Sequence, residues 1–316
     1  MQVISAEQVS QGLDWTGLIT KIEQTFRDGI QAPPRHHHSI NRPDGEATML
    51  LMPAWEDNGY IGIKMLNVFP QNAAQGLASI SGLYLLSDGR TGHPLACIDG
   101  NELTRRRTAA ASALAARYLA RQEADTLLIV GTGQVAPMLI EAHAAVRPIR
   151  HVRIWGRNAD KTQAMAQQYR HYAQGMRPFE SVEVVTDLAT ACRTADIVSC
   201  ATLSTEPLIR GKWLRPGCHL DLVGAFRPDM RESDADCVAG AEVFVDTYAG
   251  ARGEAGDLHQ AIAEGRFNMD DIQADLARLT RGEHPGRADE HSITLFKSVG
   301  ASLEDLAAAI HLWEGR

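Results

Sequence analysis

The chain has 316 residues, 44% of them hydrophobic and 22% charged, a composition that suits about two globular domains with a sizeable core. Wholesale disorder, a collagen-like repeat and a small disulfide scaffold are thereby excluded. The net charge of −8, with only short basic clusters such as Arg105-Arg106-Arg107, argues against a nucleic-acid partner, which needs a basic face.

Taken in chain order, residues 13–30 carry Leu13, Leu18, Ile22, Phe26 and Ile30 near helical spacing, and Pro33-Pro34 stops that helix. Strand-like runs follow at 47–52, 60–66, 78–86 and 94–98. The last two flank Ser87-Asp88-Gly89-Arg90-Thr91-Gly92, which reads as a hairpin loop. From Glu102 to Arg121 the chain is Ala-rich without Gly or Pro, and a helix is expected. Beyond residue 124 apolar runs at 126–130, 151–155, 182–185, 196–201, 219–224 and 243–247 alternate with helical stretches or loops. That rhythm predicts a parallel sheet covered by helices. Residues 302–313 put Leu303, Leu306, Ile310 and Trp313 on one helical face, so a last helix is expected to pack back on the N-terminal part.

The expected fold class is therefore α/β: a Rossmann-type parallel-sheet domain over 121–287, and an α+β domain formed by both chain ends, 1–120 and 288–316. The five cysteines, 97, 192, 200, 218 and 237, form no Cys-x-x-Cys pair and suggest neither a disulfide framework nor zinc. The triple histidine 36–38 lacks further ligands at useful spacing, so no metal is expected. No apolar run approaches the ~20 residues that span a bilayer. The first residues lack a basic segment followed by an apolar one, so neither a membrane nor a secretory route is expected and a cytoplasmic place is.

The sharpest motif is Thr126-Leu-Leu-Ile-Val-Gly131-Thr-Gly133-Gln134-Val135-Ala136. An apolar strand runs into Gly-x-Gly-x-x-Ala and then into a helix over 134–146, the context a dinucleotide fingerprint requires. Gly131 permits the tight turn and Gly133 lets backbone approach a pyrophosphate, while the helix N-terminus offers free N–H groups. The next strand, 151–155, ends in Gly156-Arg157-Asn158, with no acid where the adenosine ribose of NAD is usually held. Arg157 and Asn158 therefore point to the 2′-phosphate and to NADPH over NADH. The other reading of Arg157 is a solvated residue of the loop. Thr202 and Val223-Gly224-Ala225 fall at carboxyl ends of strands, where open parallel sheets bind ligands.

Three cations of the first domain stand in awkward places. Arg107 shares a helical face with Ala111, Leu114 and Tyr118, whereas Arg105 and Arg106 point elsewhere and are expected to be solvated. Lys64 lies in the apolar strand Ile61-Gly-Ile-Lys64-Met-Leu, and Arg35 follows the prolines. A buried cation needs an anion, so the three suggest either internal ion pairs or a carboxylate pocket.

The runs Gly62-Ile-Lys64-Met-Leu-Asn67, Leu103-Thr-Arg-Arg-Arg107-Thr108-Ala-Ala, Gly131-Thr-Gly133 and Phe296-Lys297-Ser298-Val299-Gly300 resemble the ornithine cyclodeaminase/mu-crystallin family over nearly the whole chain. The resemblance implies a homodimer with a nucleotide domain and a substrate and dimerisation domain. It implies that Arg35 and Lys64 hold a substrate carboxylate, with Arg107 between cofactor and substrate and Val299 touching the substrate. It implies a cofactor site that draws on Ser79, Thr108, Gln134, Val135 and Thr202, on Val223, Gly224, Ala225 and Phe226, and on Ser298. Cyclodeaminases carry a catalytic Asp shortly after the Val-Gly of the fifth strand. Phe226 stands at that place, and Asp229, three residues on, is no assured substitute. The run Arg227-Pro-Asp-Met-Arg-Glu232 instead looks like mu-crystallin and the bacterial ketimine reductases. The activity so implied is NADPH-dependent reduction of a small cyclic imino acid, Δ1-pyrroline-2-carboxylate or Δ1-piperideine-2-carboxylate, with Lys64 and Arg107 as the catalytic residues. Other members imply the alternatives: an ornithine cyclodeaminase, an amino-acid dehydrogenase or reductive aminase, and an NADPH- and ligand-binding protein with little turnover.

Overall fold

A computed structural model describes residues 1–43, 45–170 and 179–316. The chain runs β1 (Gln2–Ile4), α1 (Ala6–Gly12), α2 (Trp15–Asp28), β2 (His36–Arg42), β3 (Gly45–Trp55), β4 (Tyr60–Val68), β5 (Ile80–Asp88), β6 (Pro94–Asp99) and α3 (Gly100–Leu119). There follow β7 (Thr126–Val130), α4 (Ala136–Val146), β8 (His151–Trp155), α5 (Ala159–Arg170), β9 (Ser181–Val184), α6 (Leu188–Thr194), β10 (Ile197–Cys200) and β11 (His219–Leu222). The last third holds α7 (Ala235–Ala239), β12 (Glu242–Val245), α8 (Tyr248–Glu254), α9 (Gly256–Ala263), β13 (Ala274–Asp275), α10 (Leu276–Thr280), β14 (Thr294–Lys297) and α11 (Ser302–Glu314). Two compact units result, residues 1–107 with 301–316, and residues 108–300.

The first unit is built on a six-stranded mixed sheet in the order β1-β6-β5-β4-β3-β2, antiparallel except for β1 beside β6. Asp14 caps α2 through the Gly17 N–H at 2.7 Å, and Leu18, Ile19, Ile22 and Phe26 are its buried face. In the β5–β6 hairpin the Asp88 carboxylate accepts the N–H groups of Arg90 and Thr91, both at 2.9 Å, which closes the turn read from Asp88-Gly89. The expected C-terminal helix is α11, packed against α2, β3 and β4. Its Leu303, Leu306 and Ile310 are buried, but so are Ala307, Ala308 and Ala309. A helix buried all round leaves no wet face, and its acids are drawn inside with it.

The histidines 36–38 form edge strand β2 and are exposed, paired to β3 through their backbone. Two readings change in this unit. β1 and α1 were not foreseen, since three and seven residues are too short for periodicity to register. Arg106 is buried rather than solvated: its guanidinium donates to Glu102 at 3.1 Å, the Leu13 carbonyl at 3.0 Å and Ser10 at 2.7 Å. Its partners at Leu13 and Ser10 lie outside α3, beyond what the spacing of one helix can reveal.

The second unit holds an eight-stranded parallel sheet in the order β13-β12-β14-β11-β10-β7-β8-β9. All five residues of β7 are buried, as befits a parallel strand covered on both faces. The α/β class, with a parallel nucleotide-type sheet and a separate mixed sheet, is as expected. The units divide at 107/108 and 300/301 rather than near 120 and 288, because β14 lies between β11 and β12 before the chain returns. From β7 the strands run outward to β9, then resume on the other side with β10. The C-terminal ends of β7 and β10 thus bound a topological switch point, where such sheets bind ligands.

Candidate active site

In the first unit, β4 presents Lys64 to the buried side of the sheet, directly opposite Tyr84 on β5. The Lys64 ammonium lies 2.7 Å from Asp305 Oδ2, at the start of α11. Arg107 on α3 reaches the same helix end, Nε donating to Asp305 Oδ1 at 2.9 Å and Nη1 to Glu304 Oε2 at 2.6 Å. Lys64, Arg107, Glu304 and Asp305 are all at least nine-tenths buried. Burial pushes the Lys64 ammonium down, Asp305 opposes that, and Arg107 and Arg35 press it lower again, to about 8. The Tyr84 hydroxyl is buried without a hydrogen-bond partner among the described residues, and burial raises its pKa well above the usual phenol value. Arg35 is half-buried and close enough for its charge to be felt at Lys64.

Sequence reasoning placed the three cations and missed both acids and Tyr84. Glu304 and Asp305 read as ordinary first-turn acids of a helix. The signal for their burial was the run Ala307-Ala308-Ala309, small residues on every side of α11. Ser79 is also in this unit, in the turn before β5, where its carbonyl accepts from Phe69 N–H at 2.7 Å.

In the second unit, Gly131 follows β7 with φ +120°, and a Cβ there would stand 2.6 Å from the Ala201 carbonyl oxygen beyond β10. Only glycine fits this close approach of two loops. At Gly133 a Cβ would come no nearer than 3.9 Å to that oxygen, so space is open above the loop. Val135, the N-cap of α4, makes no side-chain cap hydrogen bond. A helix start with no capping side chain beside an open glycine turn fits a pyrophosphate group. Gln134 is exposed, Val135 half-buried, and Thr108 half-buried on α3.

Thr202 and Val223–Phe226 stand at the ends of β10 and β11. Phe226 N–H closes a tight turn on the Gly224 carbonyl at 3.0 Å, and its ring packs against the core. Asp229 is exposed and paired with Arg227 at 2.8 and 2.9 Å, so it does not stand in for the acid that Phe226 displaces. Beyond β14, Ser298 N–H donates to the Leu222 carbonyl at 3.2 Å. Asp246 gathers the N–H groups of Val299 at 2.8 Å and Gly300 at 2.7 Å. Among the described residues no group of His, Cys, Asp and Glu could hold a metal, and no helix is long and apolar enough to cross a membrane.

The family model for ornithine cyclodeaminase/mu-crystallin proteins matches residues 1–315. A Δ1-pyrroline-2-carboxylate reductase of Colwellia psychrerythraea is 37% identical over 98% of this chain and 97% of its own. Among solved structures, the Δ1-pyrroline-2-carboxylate reductase of Thermococcus litoralis, in complex with NADH and L-proline, is 30% identical with a TM-score of 0.91, over 100% of this chain and 97% of that one. An archaeal alanine dehydrogenase dimer with bound NAD is 26% identical, with a TM-score of 0.90 over 100% and 95%. The iminosuccinate reductase of Paracoccus denitrificans, in complex with NAD+, is 25% identical with a TM-score of 0.86 over 100% and 96%.

These structures overturn the expected preference for NADPH, since NADH or NAD+ is what they hold. The fold shows why Arg157 and Asn158 misled. Asn158 Oδ1 accepts the Lys161 N–H at 2.9 Å, so its side chain serves as a helix-start cap for α5. Arg157 is exposed in the loop after β8, the solvated alternative.

Proposed function

The chain belongs to the ornithine cyclodeaminase/mu-crystallin family, and we propose that it reduces a cyclic α-imino acid, Δ1-pyrroline-2-carboxylate, to proline with NADH. The observation that carries this reading is the buried cluster in which Lys64 and Arg107 meet Glu304 and Asp305, with Arg35 close enough for its charge to reach Lys64. Buried cations held with their counter-acids supply charge-assisted donors of the kind that recognise a small carboxylate. Phe226 supports reduction over cyclodeamination, which needs an acid/base where this ring stands.

Gly131, Gly133, Gln134 and Val135 would hold the dinucleotide pyrophosphate, and Thr202, Val223–Phe226 and Ser298 the remainder of it. When bound, the reduced nicotinamide supplies a hydride. Arg35 and Arg107 pair with the substrate carboxylate, as planar guanidinium groups do best. Lys64 keeps a proton on the ring nitrogen, which makes the imine carbon electrophilic. Its pKa of about 8 leaves it charged at neutral pH yet able to give the proton up. Val299 borders the substrate. Incubation with Δ1-pyrroline-2-carboxylate and NADH is expected to yield proline. Ammonia release from ornithine with NAD, and no proline from the imine, would move the protein to the cyclodeaminases.

We also propose a homodimer. Val3, Cys97, Leu85 and Ile63 are successive register partners across β1, β6, β5 and β4, an apolar row on the sheet face opposite Lys64. Val3, Leu85 and Ile63 are 76, 39 and 38% exposed, and so wide an apolar stripe calls for a cover. Leu85→Asp is expected to convert the dimer to monomer in sedimentation velocity. An unchanged sedimentation coefficient would remove this face from the interface. The five unpaired cysteines support a reducing compartment such as the cytoplasm.

A further inference from the structure

Glu232 lies between β11 and α7 and is fully buried. Its Oε1 accepts the Thr202 N–H at 2.6 Å and the Thr202 hydroxyl at 2.8 Å, and its Oε2 accepts the Gly224 N–H at 2.6 Å. Thr202 follows β10 and Gly224 follows β11, which are adjacent parallel strands. One carboxylate therefore ties together two loops at the edge where parallel sheets take ligands. The approach is so close that a Cβ on Gly224 would collide with the Thr202 carbonyl oxygen.

The backbone that carries Glu232 is itself held from behind. Asp257 on α9 accepts the N–H groups of Glu232 and Ser233, both at 2.8 Å. Lys297 on β14 donates to the Leu222 carbonyl at 3.1 Å and lies 3.7 Å from Asp257 Oδ2. In all three of its hydrogen bonds the Glu232 side chain accepts, so the ionised, acceptor-only form matches them. A protonated carboxyl puts an O–H on one of the oxygens that the backbone N–H groups of Thr202 and Gly224 need as acceptors, and so holds the two loops less firmly.

We propose that Glu232 is a positioning residue for the dinucleotide, its ionised carboxylate holding the Thr202 and Gly224 loops in the form that binds. This rests on the reading of that edge as the dinucleotide site. Burial pushes the Glu232 carboxyl up, Lys297 lowers it, Asp257 raises it, and the bonds from Thr202 and Gly224 lower it, leaving it at about 7. Binding should then weaken as pH falls through neutrality, because protonation removes an acceptor that the loops need.

The test is the dissociation constant of NADH, read by fluorescence titration from about pH 6 to about pH 9, with far-UV circular dichroism as the check on folding. In the unaltered protein it is expected to rise on the acid side by up to about tenfold per pH unit, the one-proton limit. Glu232→Gln sets an N–H against a donor, so weak, pH-independent binding is expected. Thr202→Val removes only a donor to the ionised form, and the midpoint of the profile is expected to move to higher pH. A flat profile in the unaltered protein, the same slope in the Gln variant, or an unmoved midpoint in the Val variant would each overturn the proposal. Absence of NADH binding at any pH would instead overturn the dinucleotide reading beneath it.

Discussion

Arg107→Ala is expected to lower kcat/KM for imine reduction by at least about 100-fold, the equivalent of one charged hydrogen bond of about 3 kcal/mol. Arg107 is 7% exposed in its side chain and committed to both acids of α11. Its removal therefore acts twice. The substrate carboxylate loses a planar partner, and the buried Glu304 and Asp305 each lose a guanidinium bond. Breaking a buried ion pair in this way costs about 3–5 kcal/mol of stability. Arg107→Lys separates the two effects. It keeps the charge beside the acids but not the fork, so the fold should hold while turnover still falls. A loss of tenfold or less in the alanine variant, measured where it is folded, would return Arg107 to a purely structural place.

Lys64→Met is expected to cost about 10² to 10⁴ in kcat/KM, the usual worth of a positioned acid. Methionine fills the same length of an apolar strand, and Asp305 keeps Arg107 as its counter-ion. The pH profile carries the diagnosis. The useful form of Lys64 is the protonated one, so activity declines as pH rises through about 8. That limb should vanish in the methionine variant. If the limb persists unaltered, the proton comes from elsewhere.

Much of the fold was legible because parallel strands are short apolar runs between helices, and β7 through β12 lie within one or two residues of those runs. The glycine turn was legible for a stronger reason: strand, Gly131, Gly133 and helix must occur in that order. What escaped was held by distant chain. Asp305 meets Lys64 from the opposite end of the sequence, and Glu232 is recognisable only once two strand ends lie side by side. Nothing local distinguishes such acids from surface ones. Asn158 misled for the converse reason, since a polar side chain beside a helix start has a local task that competes with any ligand.

The most direct measurement follows NADH absorbance with purified protein and freshly generated Δ1-pyrroline-2-carboxylate, with proline determined at the end. Oxidation of NADH in step with proline formation is the result expected from the cation cluster and the glycine turn together. NADH that binds but is not oxidised in the presence of the imine would contradict the reductase, leaving the dinucleotide site without the chemistry assigned to it.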